Sequence, residues 1–390
     1  MDCLTRRPNE RYRETASHAV TIRRLLMLRC PSLVGWLVIS ICAGGSWAEA
    51  QIVSDPASLT APFSAKQASA AQEAWAKHLK TSVETASKTT AMKLRLIPPG
   101  EFLMGTSPKQ AQAALAADST LKAEYLEVEQ PQHRVRLTKP FLLGTHEVTQ
   151  AEYERVMGTN PSVFSRSGGF KDRVSGMDTT RFPVETVWWC NAVEFCNKLS
   201  SADGLTAYYR LSNLAREGGS LKSADVAIAG GNGFRLPTEA EWEYACRAGT
   251  TSAFHFGDIN NGREANIDGN FPFGTTTKGP NKERTTSVGS TEYPGNNFGL
   301  RDMHGNIEEW CGDWYAAGFY SEFGGNTAID PFNAKHASTS SAPIPLRVVR
   351  GGSWFTVNNV NSGGSRSADR FEGIPDMRFL WRGFRVARTP

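Results

Sequence analysis

The sequence is poorest in the features that would tie it to a membrane, a nucleic acid or a zinc ion. The apolar run at residues 33–43 is too short for an ordinary transmembrane helix, and no other stretch qualifies as a span. No CxxC pair occurs, which removes the usual zinc spacing, and no cysteine follows Cys311. Excess charge is lacking too: beyond residue 50, 36 basic residues face 35 acidic ones. That balance gives no reason to expect a nucleic-acid partner or an anionic membrane surface. His78, His133 and His146 lack the neighbours of a two-histidine, one-carboxylate iron site. Ser353 lacks the G-x-S-x-G setting of a hydrolase nucleophile and reads as a turn cap. No internal repeat is visible.

What remains is a globular composition, since 390 residues with a 40% hydrophobic fraction can bury a proper core. The first fifty residues differ from the rest. Arg23, Arg24 and Arg29 precede an apolar run that ends in small residues and the pattern Ala48-Glu49-Ala50. Residues 1–50 are therefore expected to be a secretory leader, with the mature chain secreted or periplasmic. Three of the seven cysteines leave with it, so Cys190, Cys196, Cys246 and Cys311 remain as disulfide candidates, with three pairings open.

Residues 51–90 read as a linker followed by a helix of about twenty residues, because SAKQASAAQEAWAKHLKTSVETA has no Gly or Pro. Residues 91–390 form the main domain. It opens with two short strands around Pro98-Pro99-Gly100, and HRVRLTKPFLLGTHEV suggests a further pair. Thr149 and Glu152 make a capping box for a helix closed by Gly158; FPVETVWWCNAVEFCNKLS supplies a second helix. Residues 218–233 read as an irregular surface segment. A third helix follows a box at Thr238 and Glu241, with Trp242, Ala245 and Cys246 inward and Gly249 as its stop. Beyond it, long loops and brief strands dominate, including a glycine-bulged strand in RVVRGGSWF and a last strand in GFRVAR. The class is α+β, with small antiparallel sheets, few helices and much irregular structure.

The stretch FGLRDMHGNIEEWCGDWY from Phe298 to Tyr315 stands out. A Gly305-Asn306 turn sits between Asp302 and Glu308-Glu309, so carboxylates and inward carbonyls could surround a hard cation; a polar turn before a strand is the plainer reading. For His304 a hydrogen-bonded role beside the loop is favoured, and Trp188, Trp189, Trp242, Trp310 and Trp314 read as core.

IPPGEFLMG, HEVTQAEY, FPVETVWWCNAVEFC, RLPTEAEWEYACRAG, GLRDMHGNIEEW, RGGSW and GFRVAR follow one another in an order that resembles the sulfatase-modifying factor, or formylglycine-generating enzyme, family. The resemblance spans Met92 to Arg388 and implies one domain of C-type-lectin-like character, stabilised by calcium. It implies calcium ligands at Asp302 and Glu309 through carboxylates and at Gly305 and Ile307 through carbonyls. A second calcium site would begin at Asn266 and Ile267, although the aligned later stretch KGPNKERTTSVG offers no Asp and Glu283 falls out of register. Formylglycine-generating members oxidise a sulfatase cysteine with oxygen and a copper ion held by two thiolates. Here Thr356 falls at the first thiolate position and, without gaps, Asn361 at the second, next to Ser353. A hydroxyl and an amide do not replace thiolates for copper(I), so copper is not expected. The usual cysteine mates of Cys196 and Cys246 are missing as well. Two readings follow. One is a calcium-stabilised module for a protein or small-molecule ligand, without the oxidase. The other is an oxidoreductase of the family acting on a sulfatase cysteine or a small molecule through other residues.

Overall fold

The computed structural model describes residues 54–117, 121–335, 344–356 and 364–390. The expected leader and Asn361 lie outside them. Among the described residues, Ser54–Pro390 is one compact unit with six α-helices: α1 (Ala65–His78), α2 (Pro108–Ala117), α3 (Ala123–Glu127), α4 (Gln150–Met157), α5 (Trp189–Ala202) and α6 (Glu239–Arg247).

Capping chemistry sets three of the starts. Ser64, Thr149 and Thr238 each accept a hydrogen bond from the backbone N–H three residues on, and Gln67, Glu152 and Glu241 return the bond to the cap. The helix α1 is shorter than the sequence suggests. It stops at His78 because Lys80 takes φ 53° and the chain turns into strand Glu84–Ala86, which pairs with Lys93–Ile97. Its inner face joins the domain: Trp75 and Ala76 are buried, and Gln72 donates to the carbonyls of Leu96 (2.8 Å) and Phe298 (3.1 Å). The helix α6 ends one residue before the expected glycine, with Ala248 already left-handed at φ 42°. The helices α2 and α3 were not anticipated.

The Pro98-Pro99 turn divides its two strands between sheets. Lys93–Ile97 pairs with Phe141–Gly144 in a five-stranded antiparallel sheet that also takes Glu84–Ala86, Ala387–Arg388 and Phe234–Arg235. Gly100–Met104 pairs with His133–Leu137 in a four-stranded sheet edged by Leu59–Thr60 and Ala328–Ile329. A second four-stranded sheet runs Phe371–Gly373, Arg347–Arg350, Glu308–Trp314, Arg382–Gly383. Sheets are small and mainly antiparallel, with parallel pairs where Leu59–Thr60, Ala328–Ile329 and Arg382–Gly383 add at edges.

One reading is corrected. Residues 218–233 are not irregular: Ser220–Ile228 pairs with Tyr209–Glu217 across a Gly218-Gly219 turn at φ 56° and 84°. The flanking glycines hid a strand whose Leu221 is buried against α5, where Asn191 donates to its carbonyl (2.8 Å).

Two apolar clusters form the core. One gathers around α5, where Val193, Phe195, Cys196 and Leu199 meet Phe384 and Val386. The other gathers around α6, where Trp242, Tyr244 and Ala245 meet Phe102, Phe298 and Met303. Each fully buried side chain of this size contributes about 1.5–3 kcal/mol. The disulfides expected among the four cysteines do not form, since all four are buried free thiols. Cys190 and Cys196 stand six residues apart on α5, about 9 Å along its axis, beyond disulfide reach.

Candidate functional site

Loop Phe298–Ile307 crosses the molecule and feeds strand Glu308–Trp314. Gly305 takes φ 91°, and a Cβ there would lie 2.5 Å from the Asn266 carbonyl. Only glycine permits that approach, and it brings the two predicted calcium segments together. The Asn306 amide N–H donates to the same Asn266 carbonyl (2.8 Å), and the Asn266 side chain donates to Asn306 Oδ1 (3.1 Å).

Around this junction three carboxylates are buried: Glu147, Asp302 and Glu309. Asp302 accepts from the Gly289 amide (2.6 Å). Glu309 is clasped by Arg385, at 2.6 Å to each oxygen, and by the Trp242 indole N–H at 2.8 Å. Glu147 was missed from sequence, where an acid between His146 and Val148 carries no distinguishing pattern. One of its oxygens accepts from Asn306 (3.2 Å), and the other is buried without a partner. Burial first, then the Asp302 charge, pushes the Glu147 carboxyl up; burial raises Asp302 to about 6. Arg385 and, for Asp302, Arg301 supply the positive charge felt here, so the three carboxylates outnumber the cations.

That deficit and the orphan Glu147 oxygen fit a hard cation bound through Asp302, Glu309 and the carbonyls of Gly305 and Ile307. Among the described residues no group of three or more His, Cys, Asp or Glu side chains is arranged to hold a metal alone, so backbone oxygens are essential to that fit. At the second predicted site, Asn266 Oδ1 is also buried without a partner, and Ile267 is buried beside it.

His304 behaves as a structural residue. Its Nδ1 lies 2.6 Å from the Ser365 carbonyl, its Nε2 faces the His255 amide (3.2 Å) and the Cys246 thiol (3.6 Å), and burial keeps it neutral. Burial also raises the Cys246 thiol to about 12, which leaves it unreactive.

At the position of the family's first copper thiolate, the Thr356 hydroxyl is buried and accepts from the Ser353 amide (2.6 Å), while the Thr356 amide donates to the Ser353 carbonyl (2.9 Å). The Ser353 hydroxyl accepts from the Phe355 amide (3.3 Å), as a turn cap would. These residues do not fit a copper clamp. Beside the turn lies an aromatic column that sequence reading missed: Phe355, 46% exposed, stacks on Trp381 (5.3 Å), and Trp381 stacks on Phe379 (4.9 Å). Phe379 and Trp381 meet across a turn closed by the Arg382 amide on the Phe379 carbonyl (3.1 Å), so no strand or helix spacing signalled the column.

The model of the sulfatase-modifying factor enzyme 1-like domain matches residues 79–390, and the chain belongs to that family. The formylglycine-generating enzyme of Streptomyces coelicolor is 30% identical over 322 residues, covering 77% of this chain and 90% of that protein. Chaperone protein LppX of Paenibacillus barcinonensis is 32% identical over 267 residues, covering 64% and 80%. Among solved structures, Treponema denticola variable protein 1 shares 26% identity with a TM-score of 0.58, over 79% of this chain and 98% of that one. PvdO from Pseudomonas aeruginosa, at 22% identity and a TM-score of 0.50, shares the fold over 79% and 98%. The α+β formylglycine-generating-enzyme-like fold implied by the seven sequence blocks is thus the one observed.

Proposed function

We propose that this chain is a calcium-stabilised binding module, exported by its leader, that retains the fold of the formylglycine-generating family without its copper-cysteine oxidase. The observation that carries this reading is Thr356, whose hydroxyl is spent closing a turn where the oxidase needs a thiolate. No cysteine follows Cys311 to take its place. A family relative named a chaperone and a structural neighbour named a variable protein support a role outside oxidation. The aromatic column, with Phe355 exposed and Trp381 and Phe379 half-buried behind it, offers the ligand face, since stacked rings supply large contact area at little entropic cost.

Metal analysis of the purified protein, with a cysteine-peptide oxidation assay, tests the reading. Calcium without copper or iron, and no aldehyde product, is expected. One copper per chain, or aldehyde formation, would establish the alternative, an oxidoreductase working through other residues. For the calcium part, Asp302→Asn is cleaner than a change at Glu309, which would also strip Arg385 of its partner. The native melt is expected to fall in chelator and that of Asp302→Asn to change little. Equal melts with and without chelator in the native protein would remove calcium from the proposal.

A further inference from the structure

A cavity of about 400 Å³ opens between strand Lys93–Ile97, the end of α4 nearest Glu152, and the loop through Gly289. Three cationic side chains from separate segments line it: Lys93, Arg181 and Arg301. Lys93 pairs with Glu84 at 2.9 Å. The two arginines instead spend N–H groups on one loop's carbonyls. Arg181 donates to Val288 (3.2 Å), and Arg301 donates to Ser290 (3.0 Å) and Tyr293 (2.7 Å). Among the described residues neither guanidinium has a carboxylate at ion-pair distance. Their remaining N–H groups are thereby oriented but unspent.

The two arginine side chains also approach one glycine. A Cβ built on Gly289 would lie 3.8 Å from Arg181 Nη2, 3.9 Å from Arg301 Cδ and 3.5 Å from His146 Cδ2. The Thr145 hydroxyl, which lines the same cavity, is buried without a hydrogen-bond partner. Of the acids present, Glu84 is occupied by Lys93 and Arg95, Glu152 caps α4 through the Thr149 amide (2.8 Å), and Asp302, behind the cavity wall, accepts from the Gly289 amide (2.6 Å). The two guanidiniums are anchored on one short loop, residues 288–293, rather than spread along a groove.

We propose that this cavity binds a small ligand through a doubly charged phosphate or sulfate group. Charge concentrated on one tetrahedral group matches two guanidiniums anchored on one short loop, whereas a dicarboxylate would need them apart. The Thr145 hydroxyl supplies the neutral donor. The site is distinct from the Thr356 turn and meets the calcium loop through Gly289, whose amide binds Asp302 (2.6 Å), so it stands whether or not the chain oxidises anything.

Titration calorimetry and thermal melts with inorganic phosphate and with sulfate test it, using sodium chloride at matched ionic strength as control and succinate as the planar competitor. Saturable binding of phosphate or sulfate at millimolar concentrations is expected, with affinity reduced about ten-fold or more in Arg181→Gln, an exposed position whose ligand-free melt is measured alongside. Arg301→Lys, which keeps the charge but loses the fork, should weaken binding less than Arg181→Gln. Equal responses to phosphate and chloride, unchanged affinity in Arg181→Gln, or preference for succinate would each overturn the assignment.

Discussion

The chain up to Ala248 and the chain after it reach the same burial by different means. Around α5 the interior is apolar: Phe195 stacks on Tyr153 at 5.6 Å, Phe384 packs edge-on at 5.3 Å, and Leu199 and Val193 fill the remainder. The later segments have few regular elements, and Arg350, Arg370 and Arg385 are wholly enclosed. Arg350 meets Glu243 of α6 and three carbonyls of residues 367–369; Arg370 meets Glu239 (2.7 Å) and the Ala316 carbonyl (2.9 Å). Arg366 meets Glu129 (2.7 Å) and Asp369. Arg347 lies between Trp189 and Trp314, 3.6 and 3.3 Å from their rings, and burial lowers it to about 9. Loops carry unpaired backbone groups that helices and sheets would satisfy internally, and buried guanidiniums satisfy them here with several donors each. Irregular chain can thus be enclosed, at the cost of making each arginine indispensable.

The largest expected break follows from that dependence. Arg350→Met leaves one Glu243 oxygen bare, the other keeping Arg247 and the Gly105 amide, strips the carbonyls of residues 367–369 of their donor, and should cost about 3–5 kcal/mol, comparable to Phe195→Ala in the apolar half. The two losses should part company with pH. Burial pushes the Glu243 carboxyl up, but Arg247 and Arg350 outweigh it, and the net shift is downward. A lowered carboxyl contributes stability above its unfolded value of 4.5, lost as pH falls through the folded value. The Arg350→Met penalty should therefore be smaller at about pH 3.5 than at pH 6, and the Phe195→Ala penalty should not. Urea titrations at both values check this; parallel losses would mean that both halves are held by packing alone.

A second effect runs in the opposite direction. Burial raises Glu185 to about 7, although it accepts from the Phe164 amide (3.0 Å) and the Thr186 hydroxyl (2.6 Å). A raised carboxyl contributes stability that is full below 4.5 and is lost as pH climbs through 7. Glu185→Gln keeps both contacts and removes the charge, so at pH 8 it should stabilise by roughly 2–3 kcal/mol and leave stability at pH 5 nearly unchanged. A melting curve from pH 5 to 8 that falls equally in both proteins would count against it.

Legibility follows the same division. Caps and periodicity announced α4, α5 and α6 because those signals are local, and seven short blocks were sufficient for the family. The hairpin at Tyr209–Ile228 was lost because glycine clusters signal both loops and turns. Glu147, Arg350 and Arg385 were unreadable as partners because each finds the side chain it bonds, Asn306, Glu243 and Glu309 in turn, more than seventy residues away, and no spacing rule reaches that far. Asp302 and Glu309 were legible only because both flank one short turn.

The smallest prediction tests that locality. Thr149 accepts from the Glu152 amide at 3.2 Å, and its own amide donates to Glu152 at 2.8 Å. Thr149→Ala removes one of these two bonds and should cost about 1 kcal/mol, whereas Thr149→Ser should stay within a few tenths. The same change at Thr238 faces a different surrounding, because Glu241 is also gripped by Arg235 at 2.6 and 2.7 Å. If caps act only locally, Thr238→Ala should match Thr149→Ala. If the arginine pair carries α6 into the polar network, losing the cap should free Glu241 to hold Arg235 alone, and the cost should be smaller. Paired urea midpoints decide between them, and equal values would place the boundary between the two halves after α6 rather than within it.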